Sequence, residues 1–232
     1  IINTAAYTNV NNAEIEKEKA DLINAFAVKN LVELSEKYNC KLIHFSTDYV
    51  YSGFDKNPIN ENSPANPINY YGKSKRSGEL FIERSISDSI VIRTSWLYSF
   101  YGNNFVNTII EKAKNNSEIN VVNDQFGCPT YAKDLATNVM SMITSKLRLD
   151  SNGKIYNYSN LGSTNWSGFA KKIIKYSKLK CKIHEVSTAF FKSTVKRPKY
   201  SITSKHKIIS NFNLNIPNWD DSLKTYLISL KL

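Results

Sequence analysis

The sequence predicts an α/β fold: a doubly wound parallel sheet followed by a smaller α/β lobe. Three observations carry this. Short apolar runs at Lys41–Phe45 (KLIHF) and Ser89–Thr94 (SIVIRT) read as buried strands. Between them lie longer stretches whose apolar residues recur at helical spacing. After Asp124 the rhythm of strand and helix changes, which marks a second, smaller lobe.

Taken in order, Ile1–Ala6 is apolar and small and reads as the end of a buried strand running into a loop. From Glu14 to Tyr38, Ile15, Leu22, Ile23, Phe26, Ala27, Leu31, Val32 and Leu34 follow a helical period, and Asn39 stops the helix. Lys41–Phe45 is the next strand. Residues Asp55–Asn69, rich in Pro and Asn, form a loop. Tyr70–Ser85 is helical, Ser89–Thr94 a strand, Asn103–Asn115 a helix and Ile119–Val122 a strand. Beyond Asp124, helices are expected at Ala132–Ser145, Asn165–Ser177 and Asp220–Leu230, with strands at Lys154–Tyr158 and Lys182–Val186. The domain reading is residues 1–124 for the main sheet and 125–232 for the lobe, with segments interleaved.

Composition narrows the function classes. At 232 residues, 41% hydrophobic and 22% charged, the chain can bury a full core. It contains no apolar run of membrane-spanning length and no signal-peptide block, so no membrane partner is expected. Cys40, Cys128 and Cys181 are scattered without CxxC spacing, and His44, His184 and His206 form no ligand pair. Neither a disulfide framework nor a zinc site is indicated, and a reducing cytoplasm is the expected location. The net charge of +11 is spread along the chain; only Lys192–Lys207 is locally basic. That argues for a solvated basic surface, with no nucleic-acid partner expected.

The most informative stretch is YYGKSK. Tyr71 and Lys75 stand four apart on a helix and so share a face. A free tyrosine titrates at about 10, too high for acid–base work at neutral pH. A nearby ammonium stabilises the phenolate, so the pair can exchange a proton with a carbonyl oxygen as hydride reaches its carbon. The spacing alone is common, but its context is not. The strand before it ends in Ser46-Thr47-Asp48-Tyr49, placing hydroxyls where open α/β sheets bind ligands. Asn3-Thr4-Ala5-Ala6 ends another strand in small residues that let a cofactor approach the backbone.

These features, with the segments INTAAYTNVNNAE, IRTSWLYSFYGNNFV and VVNDQFGCPTYAKDLA, resemble the extended short-chain dehydrogenases/reductases and, more narrowly, the dTDP-4-dehydrorhamnose reductase family. The resemblance spans nearly the whole chain in the family's order. It implies NADPH-dependent (or NADH-dependent) reduction of the C4 keto group of dTDP-4-dehydro-6-deoxy-L-mannose to dTDP-L-rhamnose. By resemblance, Tyr71 gives the proton to the C4 oxygen, Lys75 tunes Tyr71 and binds the nicotinamide ribose, and Thr47 hydrogen-bonds the C4 oxygen. Asp48 and Trp96 would contact the sugar, with Thr8 near the substrate, and Ala5, Ala6 and Tyr7 would contact the cofactor. Asn104, Gln125 and Arg197 are weaker candidates for the nucleotide sugar. Plainer roles stand beside these: a lobe aromatic for Trp96, a cap for Asp48, a surface cation for Arg197, and a core residue for His44. The family is described with magnesium, but no carboxylate cluster here places one. A homodimer is compatible with the resemblance.

The chain departs from the family in one large respect. Family members open with a strand, a glycine-rich turn and a helix that hold the cofactor pyrophosphate. The eight glycines here form no such cluster. The expectation is a partial Rossmann-like sheet lacking its N-terminal strands, about two βα units of a Rossmann half. The chain would then be a fragment, with poor dinucleotide binding by itself and activity belonging to the full-length parent. Two alternatives carry the same motif: a related 4-keto-6-deoxy nucleotide-sugar reductase or epimerase, and a non-catalytic subunit resembling the regulatory beta subunit of methionine adenosyltransferase.

Overall fold

The computed structural model describes residues 1–54, 56–145, 148–150 and 153–230. Asp55, the first residue of the expected loop, lies outside them. In chain order the elements begin β1 (Ile2–Asn3), α1 (Lys17–Asp21), a π-helical turn (Leu22–Phe26), α2 (Ala27–Lys37), β2 (Leu42–Thr47), α3 (Tyr70–Arg84) and β3 (Ser89–Thr94). There follow β4 (Leu97–Tyr98), α4 (Phe105–Asn115), β5 (Glu118–Val122), β6 (Phe126–Gly127), β7 (Thr130–Tyr131) and α5 (Ala132–Thr144). The chain continues with β8 (Ile155–Asn157), β9 (Thr164–Asn165), α6 (Trp166–Ser177), β10 (Lys182–Val186), α7 (His206–Phe212) and α8 (Trp219–Ser229). None of the described helices is long and apolar enough to cross a membrane.

Packing divides the chain into two compact units. The first holds Ile1–Thr94, Met140–Tyr158 and Thr194–Leu214; the second holds Ser95–Val139, Ser159–Ser193 and Asn215–Leu232. The boundary expected at residue 124 thus lies inside the second unit. The reason is local pairing: α4 packs on α6 and β5 pairs in parallel with β10, so Ser95 onward belongs with the later segments.

The first unit is built on a four-stranded parallel sheet in the order β1-β2-β3-β8. Asn3 lies opposite His44, His44 opposite Val91, and Thr47 opposite Thr94. β1 pairs with β2 on one side and Ile2 is 46% exposed, so the strand end read as buried is open at Ile2. Leu42, Val91, Ile82, Val28 and Val32 form the apolar layer beneath α2 and α3. Each such side chain contributes about 1.5–3 kcal/mol of burial.

The helix expected over Glu14–Tyr38 is present, and the periodicity marks its buried face only in part: Val32 is buried and Ile23 and Leu31 pack on the core. Ile15, Leu22, Phe26 and Leu34 are exposed, while Ala20, Asn24, Ala25, Val28, Val32 and Ser35 are buried. The π-helical turn inserts an extra residue and rotates one half of the helix relative to the other. Small residues then face α3 closely: a Cβ on Gly78 would sit 2.1 Å from the Asn24 carbonyl oxygen. α7, which carries a weak apolar signal, was not expected; Ile208 and Phe212, four apart, bury its inner face.

The second unit has an aromatic core. Tyr98, Tyr131, Phe169, Trp219 and Tyr226 are buried together with aliphatic residues of α4, α6 and α8. Asparagine side chains cap α4, α6 and α8 through Asn104, Asn165 and Asn218.

Candidate active site

β2 ends at Thr47, at the C-terminal edge of the parallel sheet where open α/β sheets bind ligands, while Asn3 of β1 lies opposite His44, three residues short of it. Thr47 caps the short 3-10 turn Asp48–Val50 by accepting from the Tyr49 N–H at 3.2 Å, and its hydroxyl donates to Asp48 Oδ1 at 3.2 Å. Asp48 is therefore within the turn and not its cap. Its carboxyl is buried, which raises it to about 6 against the opposing hydrogen bonds from Ser201 and Thr47. Its Oδ2 has no hydrogen-bond partner among the described residues.

α3 begins where Asn69 accepts from the Gly72 N–H at 2.8 Å. Gly72 must lack a side chain, because a Cβ there would lie 2.2 Å from the Tyr49 carbonyl oxygen. This close approach seats the first turn of α3 on the loop after β2 and brings Tyr71 against Tyr49, rings edge to face at 5.8 Å. Burial pushes the Tyr71 phenol up to about 12, while a hydrogen bond with Thr47 pulls it the other way. Thr47, Asp48 and Tyr71 are thus brought together as expected.

Lys75 lies one turn further along α3 and is buried. Its Nζ donates to the Phe45 carbonyl at 2.6 Å and meets His44 Nε2 at 3.1 Å. Burial lowers Lys75 to about 8, with Glu79 acting against the shift. Glu79, one turn beyond Lys75, forms a two-pronged pair with Arg93 of β3 at 2.9 and 2.6 Å. Arg93 also donates to the Tyr51 hydroxyl at 2.8 Å.

At the end of β1, Ala5 and Thr8 are exposed and Ala6 half-buried, leaving small side chains beside Thr47's edge of the sheet. Tyr7 is otherwise occupied: its N–H donates to Asn24 Oδ1, its carbonyl accepts from Asn24 Nδ2, and its hydroxyl donates to Glu16. Its packing among Ala13 and Ala20 leaves little of it for a cofactor. Open small residues, a phenol and a buried amine at one sheet edge fit the nicotinamide–ribose end of a dinucleotide. No group of three or more His, Cys, Asp and Glu that could hold a metal is found among the described residues.

The remaining candidates have structural partners. Trp96, in the second unit, has a left-handed backbone (φ 47°) and stacks on Trp166 at 3.5 Å. A Cβ on Gly127 would lie 2.6 Å from its ring. Gln125 accepts from Trp166 Nε1 and donates to Thr188, and Asn104 caps α4. Arg197 donates to Asn11 Oδ1 at 2.7 Å and lies near Tyr49. Sequence reasoning missed Asn24, which also donates to Ser74 Oγ at 3.0 Å and so ties the Tyr7 segment to α3. Its one signal was an asparagine within an otherwise apolar helical stretch.

A parallel sheet with Thr, Tyr and Lys gathered beyond the end of a strand defines an NAD(P)-dependent reductase of the short-chain dehydrogenase type. The family model described as the RmlD substrate binding domain matches residues 1–232, and the chain belongs to this family. It is 38% identical to the spore coat polysaccharide biosynthesis protein SpsK of Bacillus subtilis over 98% of this chain and 78% of that protein. It is 36% identical to a dTDP-4-dehydrorhamnose reductase of Sinorhizobium fredii, over 100% of this chain and 80% of that one. Among solved structures, the dTDP-4-dehydrorhamnose reductase of Bacillus anthracis in complex with NADP superposes with a TM-score of 0.93 at 41% identity, over 99% of this chain and 80% of that one. The Clostridium acetobutylicum reductase gives a TM-score of 0.92 at 34% identity, covering 100% and 80%.

Proposed function

We propose that this chain carries the catalytic and sugar-binding part of an NADPH-dependent reductase that converts dTDP-4-dehydrorhamnose to dTDP-L-rhamnose. The observation that supports it most is the gathering of Thr47 at the end of β2, Tyr71 in the first turn of α3 and buried Lys75 one turn further on, in a chain more than a third identical to enzymes named for that reaction. The bound cofactor supplies a hydride to C4 of the sugar. Tyr71, held neutral by its high proton affinity, gives its proton to the C4 oxygen as negative charge develops there. The Thr47 hydroxyl orients the phenol and hydrogen-bonds that same oxygen. Lys75 carries the charge that stabilises the phenolate left behind, and with Ala5 and Ala6 it would hold the nicotinamide ribose. Asp48 Oδ2, buried and without a hydrogen-bond partner among the described residues, would accept from a sugar hydroxyl once the bound sugar reaches it. The three free cysteines suit a reducing compartment, and we place the reaction in the cytoplasm.

The test is turnover of the 4-keto nucleotide sugar by the full-length protein. Tyr71→Phe should lower kcat by about 10²–10⁴-fold. Wild-type turnover by this variant would overturn the reading, and a wild-type protein that reduces no 4-keto sugar nucleotide would favour a non-catalytic role.

A further inference from the structure

His44 lies in the middle of β2, fully buried, where both ring nitrogens need hydrogen-bond partners. It is bracketed by two polar groups. Asn3 Nδ2 is 2.9 Å from Nδ1 and Lys75 Nζ is 3.1 Å from Nε2. The orientation of the Asn3 amide is set by its other contact: its Oδ1 accepts from the Ala5 N–H at 3.1 Å. Nδ2 can only donate, so His44 Nδ1 accepts. A neutral ring then carries its proton on Nε2, and that N–H points at Lys75. An ammonium has no lone pair to receive it, whereas a neutral amine has one. The arrangement is that of a neutral Lys75 donating to the Phe45 carbonyl and accepting from His44.

We propose that His44 is a positioning residue for Lys75, and that its neutral ring changes tautomer as the lysine gains or loses charge, coupling that charge to the Asn3–Ala5 segment. The functional half of this inference rests on the reductase reading. When Lys75 becomes an ammonium, the amine takes the Nε2 proton and the ring regains one at Nδ1 from water, a net uptake of one proton by the pair. The Asn3 carbonyl must then turn to accept from Nδ1–H, and the Ala5 N–H loses its acceptor. Ala5 is in the segment expected to meet the cofactor, so the lysine's charge is felt there.

The surroundings keep the ring neutral. From α3 it faces Lys75, with Glu79 one turn on and engaged by Arg93; β1 presents the uncharged Asn3 and β3 the apolar Val91. Burial first and the lysine charge second hold His44 well below its ordinary range. Lys75, lowered to about 8, can change charge near physiological pH.

The test reads the imidazole nitrogens of ¹⁵N-labelled full-length protein by NMR from about pH 6 to about pH 10. The expected result is a neutral ring throughout, Nε2–H above the Lys75 titration and Nδ1–H below it. A single tautomer across the range, or an imidazolium, would overturn the proposal. In parallel, His44→Gln places an amide near Nε2 that cannot shift a proton. Its kcat should fall about tenfold, with KM within about twofold and the pH midpoint of kcat moved by about one unit. An unmoved midpoint would leave His44 a packing residue and overturn the coupling. The tautomer measurement does not depend on turnover, so loss of the reductase reading and loss of this one are separable.

Discussion

The two units are held together by different physics. In the first, the layer between α3 and the sheet contains Lys75, Glu79, Arg93, His44 and Asp48, all under 5% exposed. In the second, the corresponding interior is rings: Phe169 is stacked or tilted against Trp96, Tyr98 and Phe105 and stands edge-on to Trp219. Burying charge costs free energy unless each charge is matched in place, whereas burying rings is favourable with loose geometry. The first unit accepts that cost where it orders Thr47, Tyr71 and Lys75. The second rests chiefly on ring packing.

The sharpest way to break the contrast is the Glu79–Arg93 pair. Arg93→Leu removes the two-pronged partner of buried Glu79, leaves only the single contact from Arg76 at 2.9 Å to match its charge, and should cost about 3 kcal/mol, read by urea denaturation. Phe169→Ala in the other core should cost a similar amount, about 3–5 kcal/mol, through a cavity. The difference shows in the conservative variants. Phe169→Leu should recover much of the loss, while Arg93→Lys should recover little, because an ammonium cannot make the two-pronged contact.

A comparable effect has the opposite sign. Asp48 binds its proton more tightly in the folded chain, at about 6, than its ordinary 3.8. The native state then holds more protons than the unfolded one between those values, so stability falls as pH rises through that window and stays lower above it. Asp48→Asn removes this deficit. It should stabilise the protein by about 3 kcal/mol at neutral pH and by nothing near pH 3, compared by thermal denaturation at the two pH values, while lowering turnover. The smallest effect is at the start of α3. Asn69→Ala removes a cap and should cost about 1 kcal/mol.

How much was legible follows from the range of each interaction. The strands at Lys41–Phe45 and Ser89–Thr94 and the helix of YYGKSK were readable because local periodicity alone specifies them. Thr47, Asp48 and Tyr71 were readable as a group, since each sits at the end of a strand or the start of a helix whose order along the chain places it at one sheet edge. Local pattern showed only in part which face of the helix before β2 is buried. The rest depended on the π-helical turn and on the room made by Gly78 opposite Asn24, both set by packing between helices. The partners of Lys75 were equally hidden. Asn3, His44 and Lys75 are separated by 41 and 31 residues along the chain and meet only because β1 pairs with β2 beneath α3. The sequence by itself determined the alternation of elements and the residues able to do acid–base chemistry. Tertiary structure alone decided what surrounds them, because burial and proton affinity depend on neighbours in space rather than along the chain.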